Sequence, residues 1–144
     1  MKKVGIGGDH AGFEYKQKVV SFLQSQGYEV TDFGPNSLDS VDYPDYIHPM
    51  ATAIEQGDLE AGIAICGSGN GVCMTANKHQ NIRAALVWQT DLAALSRQHN
   101  NANVVCIPAR FVDYDLAQEM ISTFLNTEFE GGRHERRVDK ISCQ

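Results

Sequence analysis

Short apolar runs alternate with amphipathic segments along the whole chain. Four of the runs are rich in Val, Ile, Ala and Gly and have the length of buried strands, at residues 2–8, 61–66, 82–88 and 103–107. A fifth strand is predicted at residues 28–33, which are more polar. Between them, apolar residues recur every three or four positions, which is typical of helices that bury one face. The pattern predicts five strands with helices between them.

Glycines mark the ends of the first predicted helices. Gly27 ends a first helix whose apolar residues share one face, and Gly57 ends a second helix over about Tyr46–Gln56. A third helix is expected to begin near Asn70 or Gly71, directly after a glycine-rich turn.

Capping residues mark the start of the next two helices. Thr90 or Asp91 is expected to cap the fourth helix, which would direct Leu92 and Leu95 inward. Asp113 is expected to cap a long fifth helix. The apolar face of that fifth helix consists of Ala117, Met120, Ile121, Phe124 and Leu125.

The alternation of strands and helices is typical of the α/β fold class. Strands connected through helices pair in parallel with right-handed crossovers, and the helices then cover both faces of the sheet. A chain of 144 residues without a linker or internal repeat fits one domain. We therefore expect a single three-layer α/β/α domain with a five-stranded parallel sheet, doubly wound and Rossmann-like.

The segment AGIAICGSGNG, residues 61–71, carries the strongest signal for chemistry. Its apolar run ends in Cys66, and glycines at alternate positions then let backbone N–H groups turn toward an anion. Ligands bind at the carboxyl ends of strands in open parallel sheets, where a helix N-terminus also favours a reactive thiolate. An isolated strand cysteine is more often a small buried hydrophobe, but such a cysteine has no need of a glycine-rich turn directly after it.

Polar residues follow two further strands and are expected at the same sheet edge. Asp9 and His10 come after the first strand, and Arg110 comes after the fifth. His99 closes the fourth helix instead, so its approach to this edge does not follow from its place in the chain. A histidine at a helix end often only caps carbonyl groups.

Cysteine and histidine spacing argues against disulfides and metal centres. The four cysteines form no CxxC pair, and the five histidines show no HxxxH or HxH spacing. We predict reduced thiols and no metal. The first residues lack a secretory apolar core and no stretch approaches a membrane span, so a cytoplasmic protein without membrane contact is expected.

The net charge of −6 is distributed unevenly. Residues 133–144 carry a net +2, which leaves −8 for the rest of the chain. An acidic body lacks the broad basic face of a nucleic-acid-binding protein, so no nucleic-acid partner is expected. If the tail is helical, Arg133 and Arg137 share one face, and arginine suits bidentate binding of phosphate. A solvated surface helix is the open alternative.

The glycine-rich segments GIGGDHAG and GSGNG do not match a dinucleotide-binding fingerprint. The glycines after the first strand stand at positions 5, 7, 8 and 12, which is not GxGxxG spacing. In the second segment, Val72 stands where the third glycine would fall. The shorter loop suits a small oxyanion better than a pyrophosphate.

Four motifs in order along the chain resemble the type B ribose-5-phosphate isomerase family, which includes allose- and galactose-6-phosphate isomerases. They are GGDHAGFEYK, CGSGNG, RQHNNANVVCIPAR and GGRHERRVDKI. The resemblance implies an aldose–ketose isomerase that needs no metal or cofactor. Such an enzyme interconverts ribose 5-phosphate and ribulose 5-phosphate through an enediolate. It also implies a homodimer or homotetramer with active sites at the subunit interface, and a C-terminal arm, residues 128–144, that contacts the partner.

The resemblance also assigns roles to individual residues. Cys66 matches the catalytic base, and His99 matches the acid that helps to open the furanose ring. The other matched positions are Asp9, His10 and Asn100 for the sugar, Arg110, Arg133 and Arg137 for the phosphate, and Gly67, Ser68, Gly69, Asn70 and Gly71 for the enediolate oxygen. Ser68 is also close enough in sequence to hydrogen-bond the thiolate or the transferring oxygen, or it is a plain turn residue. We therefore take Asp9, Cys66, Ser68 and His99 as the candidate catalytic residues.

Three alternatives stay open from the sequence. Asn70 stands where an apolar residue is usual in the family, so a six-carbon sugar phosphate is an alternative substrate. A thiol-dependent hydrolase or transferase would use Cys66 as a nucleophile. A non-catalytic sugar-phosphate-binding protein would need the arginines but not the thiol.

Overall fold

The computed structural model describes residues 2–143 and contains a five-stranded parallel sheet. The strands are β1 Lys3–Gly8, β2 Glu29–Asp32, β3 Ala61–Cys66, β4 Ala84–Leu86 and β5 Val104–Pro108, in the spatial order β2-β1-β3-β5-β4. Every neighbouring pair in this order is parallel, which confirms the predicted α/β class.

Helices cover both faces of the sheet. They are α1 Phe13–Ser25, α2 Pro44–Glu55, α3 Asn70–Ala76, α4 Thr90–Gln98, α5 Tyr114–Asn126 and α6 Arg133–Asp139, with a 3₁₀ turn at His10–Gly12 before α1. Helices α1, α4 and α5 pack on one face, and α2 and α3 pack on the other. Within residues 2–143, no helix combines the length and apolarity needed to cross a membrane.

Alternate residues of β3 point to opposite faces of the sheet. Ile63 and Ile65 belong to the core beneath α1, α4 and α5, whereas Ala64 and Cys66 belong to the core beneath α2 and α3. All six residues of this central strand are buried. Cys66 therefore ends the strand with its side chain on the side of α2 and α3.

Helix α5 matches its prediction. Asp113 Oδ1 accepts a hydrogen bond from the Leu116 amide at 2.8 Å, as an N-cap does. The residues assigned to its apolar face are all buried, namely Ala117, Met120, Ile121, Phe124 and Leu125. The helix considered for the tail is present as α6.

Strand β4 and the start of helix α4 differ from the expectation. Strand β4 covers three half-buried residues rather than 82–88, because it lies at the edge of the sheet and pairs only with β5. Helix α4 has Gln89 in the capping position and no side-chain cap, so neither Thr90 nor Asp91 plays the predicted role.

The face that α4 buries also differs from the predicted one. Leu95 is 40% exposed, whereas the buried residues of the helix are Ala93, Ser96 and Arg97. The Arg97 guanidinium donates to the carbonyl of Thr127 at 3.0 Å and to that of Ala102 at 2.6 Å. These hydrogen bonds offset the free-energy cost of burying a cation. Helix α4 therefore buries Arg97, whereas the apolar pattern predicted a buried Leu95.

A buried lysine ties α1 to the end of β2. Lys16 is 1% exposed, and its Nζ donates to Asp32 Oδ2 at 2.7 Å. Asp32 Oδ1 accepts from the Gly34 amide at 2.9 Å, and the Gly34 carbonyl accepts from the Gly8 amide at 3.1 Å. This chain of contacts fixes the loop after β2 against the carboxyl end of β1.

Candidate functional site

The strand order opens a crevice between the carboxyl ends of β1 and β3. The chain leaves β1 through α1 toward β2 and returns to β3 through α2 on the opposite face, so the loops after β1 and β3 diverge. Ligands of open α/β sheets bind at such a switch point. A cavity of about 390 Å³ lies there, and predicted site residues line it, namely Asp9, His10, Cys66, Gly67, Ser68, Gly71 and Arg110.

Pairing between β3 and β5 continues past the strand ends and sets the floor of this cavity. The Cys66 carbonyl accepts from the Ala109 amide at 2.9 Å, and the Gly67 carbonyl accepts from the Arg110 amide at 3.0 Å. A Cβ on Gly67 would lie 3.1 Å from Arg110 Cδ, so the arginine stem covers that glycine. Cys66 is 5% exposed and lines the cavity.

The turn after Cys66 is held by its own polar groups. Gly69 has a φ of +74°, a left-handed conformation that favours glycine, and its carbonyl accepts from the Cys73 amide at 3.2 Å to begin α3. Ser68 Oγ accepts from the Asn70 amide at 3.2 Å. Ser68 therefore has the turn role, and its catalytic role stays a prediction. The Asn70 side chain is exposed.

Asp9 and His10 are both oriented by backbone groups. Asp9 Oδ1 accepts from the amides of Ala11 at 2.9 Å and Gly12 at 3.2 Å, which caps the 3₁₀ turn. The His10 Nδ1 atom accepts from the Val41 amide at 3.4 Å. Because Nδ1 is the acceptor, the proton of the neutral ring lies on Nε2.

Two aromatic residues of this cavity were missed by the sequence analysis. Tyr43 lines the cavity and packs so closely on Gly71 that a Cβ there would overlap its ring. Phe111 also lines the cavity and is 76% exposed. Tyr43 follows an irregular loop and Phe111 directly follows Arg110 outside any strand or helix, so no periodic signal could have indicated either one.

Gly69 and Asn70 line neither of the two cavities. The other predicted residues line a second cavity, of about 450 Å³. They are His99, Asn100, Arg133 and Arg137, and His134 joins them. Arg136, on the same helix, does not line it. The prediction that Arg133 and Arg137 share a face of a helix is thus confirmed.

Within one chain, the two cavities lie at opposite ends of the strands: the first at the carboxyl ends and the second at the amino ends. Helices α4 and α5 run back from the carboxyl edge, so His99 at the end of α4 lies near the amino edge. A strand of five or six residues spans roughly 17–20 Å. The Cys66 of one chain therefore lies too far from its own His99 for the two to act on one sugar.

The second cavity contains two stacked imidazoles. The rings of His99 and His134 lie 4.2 Å apart at 14°, and Glu130 Oε1 is 3.8 Å from the Nε2 atom of each. Loss of hydration lowers the pKa of His134, and positive charge on His99, Arg133 and Arg137 lowers it further against the opposing effect of Glu130. His134 is therefore biased toward its neutral form.

The other thiols lie outside the switch-point cavity. Burial raises the pKa of Cys106 well above its ordinary value, which keeps that thiol protonated. Cys73 Sγ donates to the Ala84 carbonyl at 3.4 Å, and Cys143 is exposed near the C-terminus. Cys66 is the cysteine that lines the cavity beside the glycine-rich turn.

Comparison with known proteins decides the family. A model of the Ribose/Galactose Isomerase family matches residues 4–141. The chain belongs to that family. Ribose-5-phosphate isomerase B of Escherichia coli is 42% identical over 143 residues, which cover 99% of this chain and 96% of that protein.

Solved structures of similar isomerases share the fold closely. A ribose 5-phosphate isomerase from Thermotoga maritima has a TM-score of 0.96 at 46% identity, covering 98% of this chain and 97% of that one. A ribose-5-phosphate isomerase B from Mycoplasma genitalium with bound ribulose-5-phosphate has a TM-score of 0.93 at 44% identity, covering 96% and 94%. The resemblance seen in the four motifs is confirmed, and the protein is an isomerase.

The contact between Gly71 and Tyr43 gives a test of the cavity wall. Gly71→Ala should lower the free energy of unfolding by about 1–3 kcal/mol, because the new methyl group overlaps the tyrosine ring. In a Tyr43→Ala background the same change should be neutral or stabilising by up to about 1 kcal/mol, since alanine favours helix over glycine. Urea unfolding of the four proteins measures both values, and an equal cost in both backgrounds would contradict the packing described.

Proposed function

We propose that this isomerase interconverts ribose 5-phosphate and ribulose 5-phosphate. The observation that carries the proposal is the position of Cys66 in a cavity at the switch point, beside a glycine-rich turn and Arg110. The Escherichia coli relative is named for ribose 5-phosphate, and the Mycoplasma genitalium structure holds ribulose 5-phosphate, which supports a five-carbon substrate. We place the activity in the cytoplasm, as the sequence leads us to expect.

In the proposed reaction, one proton moves between neighbouring carbons. The Cys66 thiolate removes the proton from C2 of the open-chain aldose, and the released electron pair forms the C1–C2 double bond of an enediolate. The thiol then returns a proton to C1, which yields the ketose and regenerates the thiolate. A hydroxyl proton must also pass from O2 to O1, and Ser68 and Asp9 are the polar groups that we assign to this transfer.

The enediolate oxygen requires donors that are in place before the charge develops. The residues of the turn, Gly67, Ser68, Gly69, Asn70 and Gly71, have small or short side chains, so a substrate oxygen can approach backbone amides of the turn other than that of Asn70, which donates to Ser68 Oγ. A preorganised donor of this kind is typically worth about 2.7–4 kcal/mol of transition-state stabilisation. Arg110 lies over the same turn and supplies positive charge at its rim.

A second copy of the chain completes the proposed site. Opening of the furanose ring needs a proton donor, a task that imidazole suits near neutral pH, and His99 lies at the wrong edge of its own sheet. We assign this step to the partner's His99, with the partner's Asn100 on the sugar. Arg133 and Arg137 of the partner would then bind the phosphate together with Arg110 of the first chain.

Surface properties support this arrangement. Large apolar side chains that are exposed in one chain would be covered by a partner, namely Met74, Trp88, Leu95, Phe111 and Ile141. The second cavity is built largely from the C-terminal arm, residues 128–144, which we propose reaches the neighbouring subunit. A homodimer satisfies this requirement, and so does a homotetramer of such dimers.

Cys66→Ala should remove turnover but keep binding. Because the variant lacks the group that moves the proton, kcat should fall by about 10²- to 10⁴-fold, while ribose 5-phosphate still raises the melting temperature. Cys143→Ala is the matched control, since that thiol is exposed in the tail. Turnover at the unaltered rate in Cys66→Ala would refute the base assignment, and a covalent adduct on Cys66 in mass spectra would favour a nucleophilic mechanism.

Arg137→Ala should weaken substrate binding. Loss of a charged contact to phosphate should raise the KM for ribose 5-phosphate by about 10- to 100-fold. Arg136→Ala provides the control, because Arg136 lies on the same helix but does not line the cavity. Steady-state kinetics of both variants would speak against the phosphate role if the two KM values rose equally.

Mixing two inactive variants tests whether two chains share one site. Subunits carrying Cys66→Ala and subunits carrying His99→Asn should each be inactive alone. When they are coexpressed in equal amounts, half of the dimers are mixed and each mixed dimer has one intact site, so about a quarter of full activity should return. Activity that stays at the level of the separate variants would mean that Cys66 and His99 serve the reaction from the same chain.

A further inference from the structure

We propose that Tyr15 and Lys16, neighbours on α1, are positioning residues that hold opposite walls of the switch-point cavity. Neither side chain lines the cavity, yet each contacts a segment that leads to residues that do. Successive residues of a helix point about 100° apart, so the two side chains leave α1 in different directions. The structural part of this inference is independent of the proposed function, and its effect on turnover rests on that function.

Lys16 is a buried cation bound to the end of β2. Its side chain is 1% exposed, its Nζ atom lies 5.3 Å from the centre of the Phe13 ring, and it donates to Asp32 Oδ2 at 2.7 Å. Asp32 is 30% exposed, and its other oxygen accepts from the Gly34 amide. A cation buried this deeply needs a charged partner, so Lys16 fixes the orientation of the Asp32 carboxylate and, through it, the start of the following loop.

The loop that follows β2 ends in one wall of the cavity. Residues 35–42 lie outside any helix or strand, and within them the Val41 amide donates to His10 Nδ1 at 3.4 Å. Tyr43 comes next and lines the cavity, as His10 does. A segment without regular structure depends on the contacts at its ends. Loss of the Lys16 contact should therefore let Val41 move and release the His10 ring.

Tyr15 holds the opposite wall, which follows β5. Its hydroxyl donates to the Val112 carbonyl at 2.7 Å. Arg110 and Phe111, which line the cavity, directly precede Val112. Tyr15 therefore fixes the segment that carries the arginine we assign to the phosphate.

Nitrogen NMR of the histidine rings tests the Lys16 contact without reference to activity. The His10 signals, identified by their loss in His10→Asn, should show a protonated Nε2 and an unprotonated Nδ1 at a pH where the ring is neutral. In Lys16→Met they should move toward the tautomer mixture of free histidine, because the Val41 amide no longer holds the ring. Tyr15→Phe and Lys18→Met should leave the signals in place, and Lys18 is the matched control because it is an exposed lysine of the same helix.

Unchanged His10 signals in Lys16→Met would overturn the proposal, and so would equal changes in all three variants. The double variant Lys16→Met, Asp32→Asn keeps the test decisive if the single change prevents folding, because it leaves no unpaired charge at this place. Its His10 signals should move as far as those of Lys16→Met and no further, since the two residues form one contact. Signals that stay in place in the double variant, or shifts that add up, would refute the route through Asp32.

Kinetics of ribose 5-phosphate isomerisation separate the two walls. Lys16→Met should lower kcat by about 10- to 100-fold with a smaller change in KM, because the sugar is held less precisely for proton transfer. Tyr15→Phe should instead raise KM by up to about tenfold, through Arg110, with a smaller change in kcat. Lys18→Met should match the unaltered enzyme. The same changes of kcat and KM in Lys16→Met and Tyr15→Phe would refute the assignment to separate walls.

The two experiments also separate this inference from the proposed function. His10 signals that move in Lys16→Met, in a protein without isomerase activity, would sustain the structural contact and refute the proposed function. An active enzyme in which the signals move but kcat does not fall would refute the positioning role of Lys16.

Discussion

The pairing of β3 with β1 on one side and β5 on the other is the contact on which the candidate site depends. Its register sets Gly8 beside Ile65 and Cys66 beside Pro108, so three loops leave the sheet at one edge. The hydrogen bonds continue beyond the strands, from the Asp9 amide to the Ile65 carbonyl and from the Ala109 amide to the Cys66 carbonyl. Residues about 50 and 100 positions apart are brought around one thiol by backbone geometry alone. Because the sheet is buried on both faces, packing holds these loops in place, as the proposed proton transfer between adjacent carbons requires.

The same fold places His99, Arg133 and Arg137, the residues we propose for ring opening and phosphate binding, at the opposite, amino ends of the strands. Helices that return antiparallel to the strands must end there, so His99 and the arginines of α6 cannot reach the thiol of their own chain. Under the proposed function, a chain is active only when it associates with a second copy. Each chain would carry two half-sites, and a symmetric dimer would bring each half against its complement. The exposed Phe111 and Trp88 fit this requirement, because a lone chain leaves them in water.

Much of the fold and half of the site follow from local signals in the sequence. Some features depend only on residues a few positions apart, so they can be predicted without knowledge of the tertiary structure. They are the glycines after Cys66, the Asp113 cap and the apolar face of α5. Other features arise from long-range packing. The buried Arg97 satisfies carbonyls of distant loops, Tyr43 covers Gly71 from an irregular segment, and His99 meets Glu130 and His134 only after α5 has turned back. Spacing of histidines along the chain therefore gave no sign of that cluster. The four motifs that identified the family lie within the residues that its model matches.

Proton transfer through an enediolate is the central claim, and isotope exchange with solvent tests it most directly. Ribose 5-phosphate is converted by the protein in heavy water, and the sugar phosphates are followed by NMR through many turnovers. Deuterium should accumulate on the carbon next to the carbonyl, because the thiol exchanges its proton with solvent. Ketose that remains free of deuterium after many turnovers would indicate a direct hydride shift and would contradict proton transfer through an enediolate.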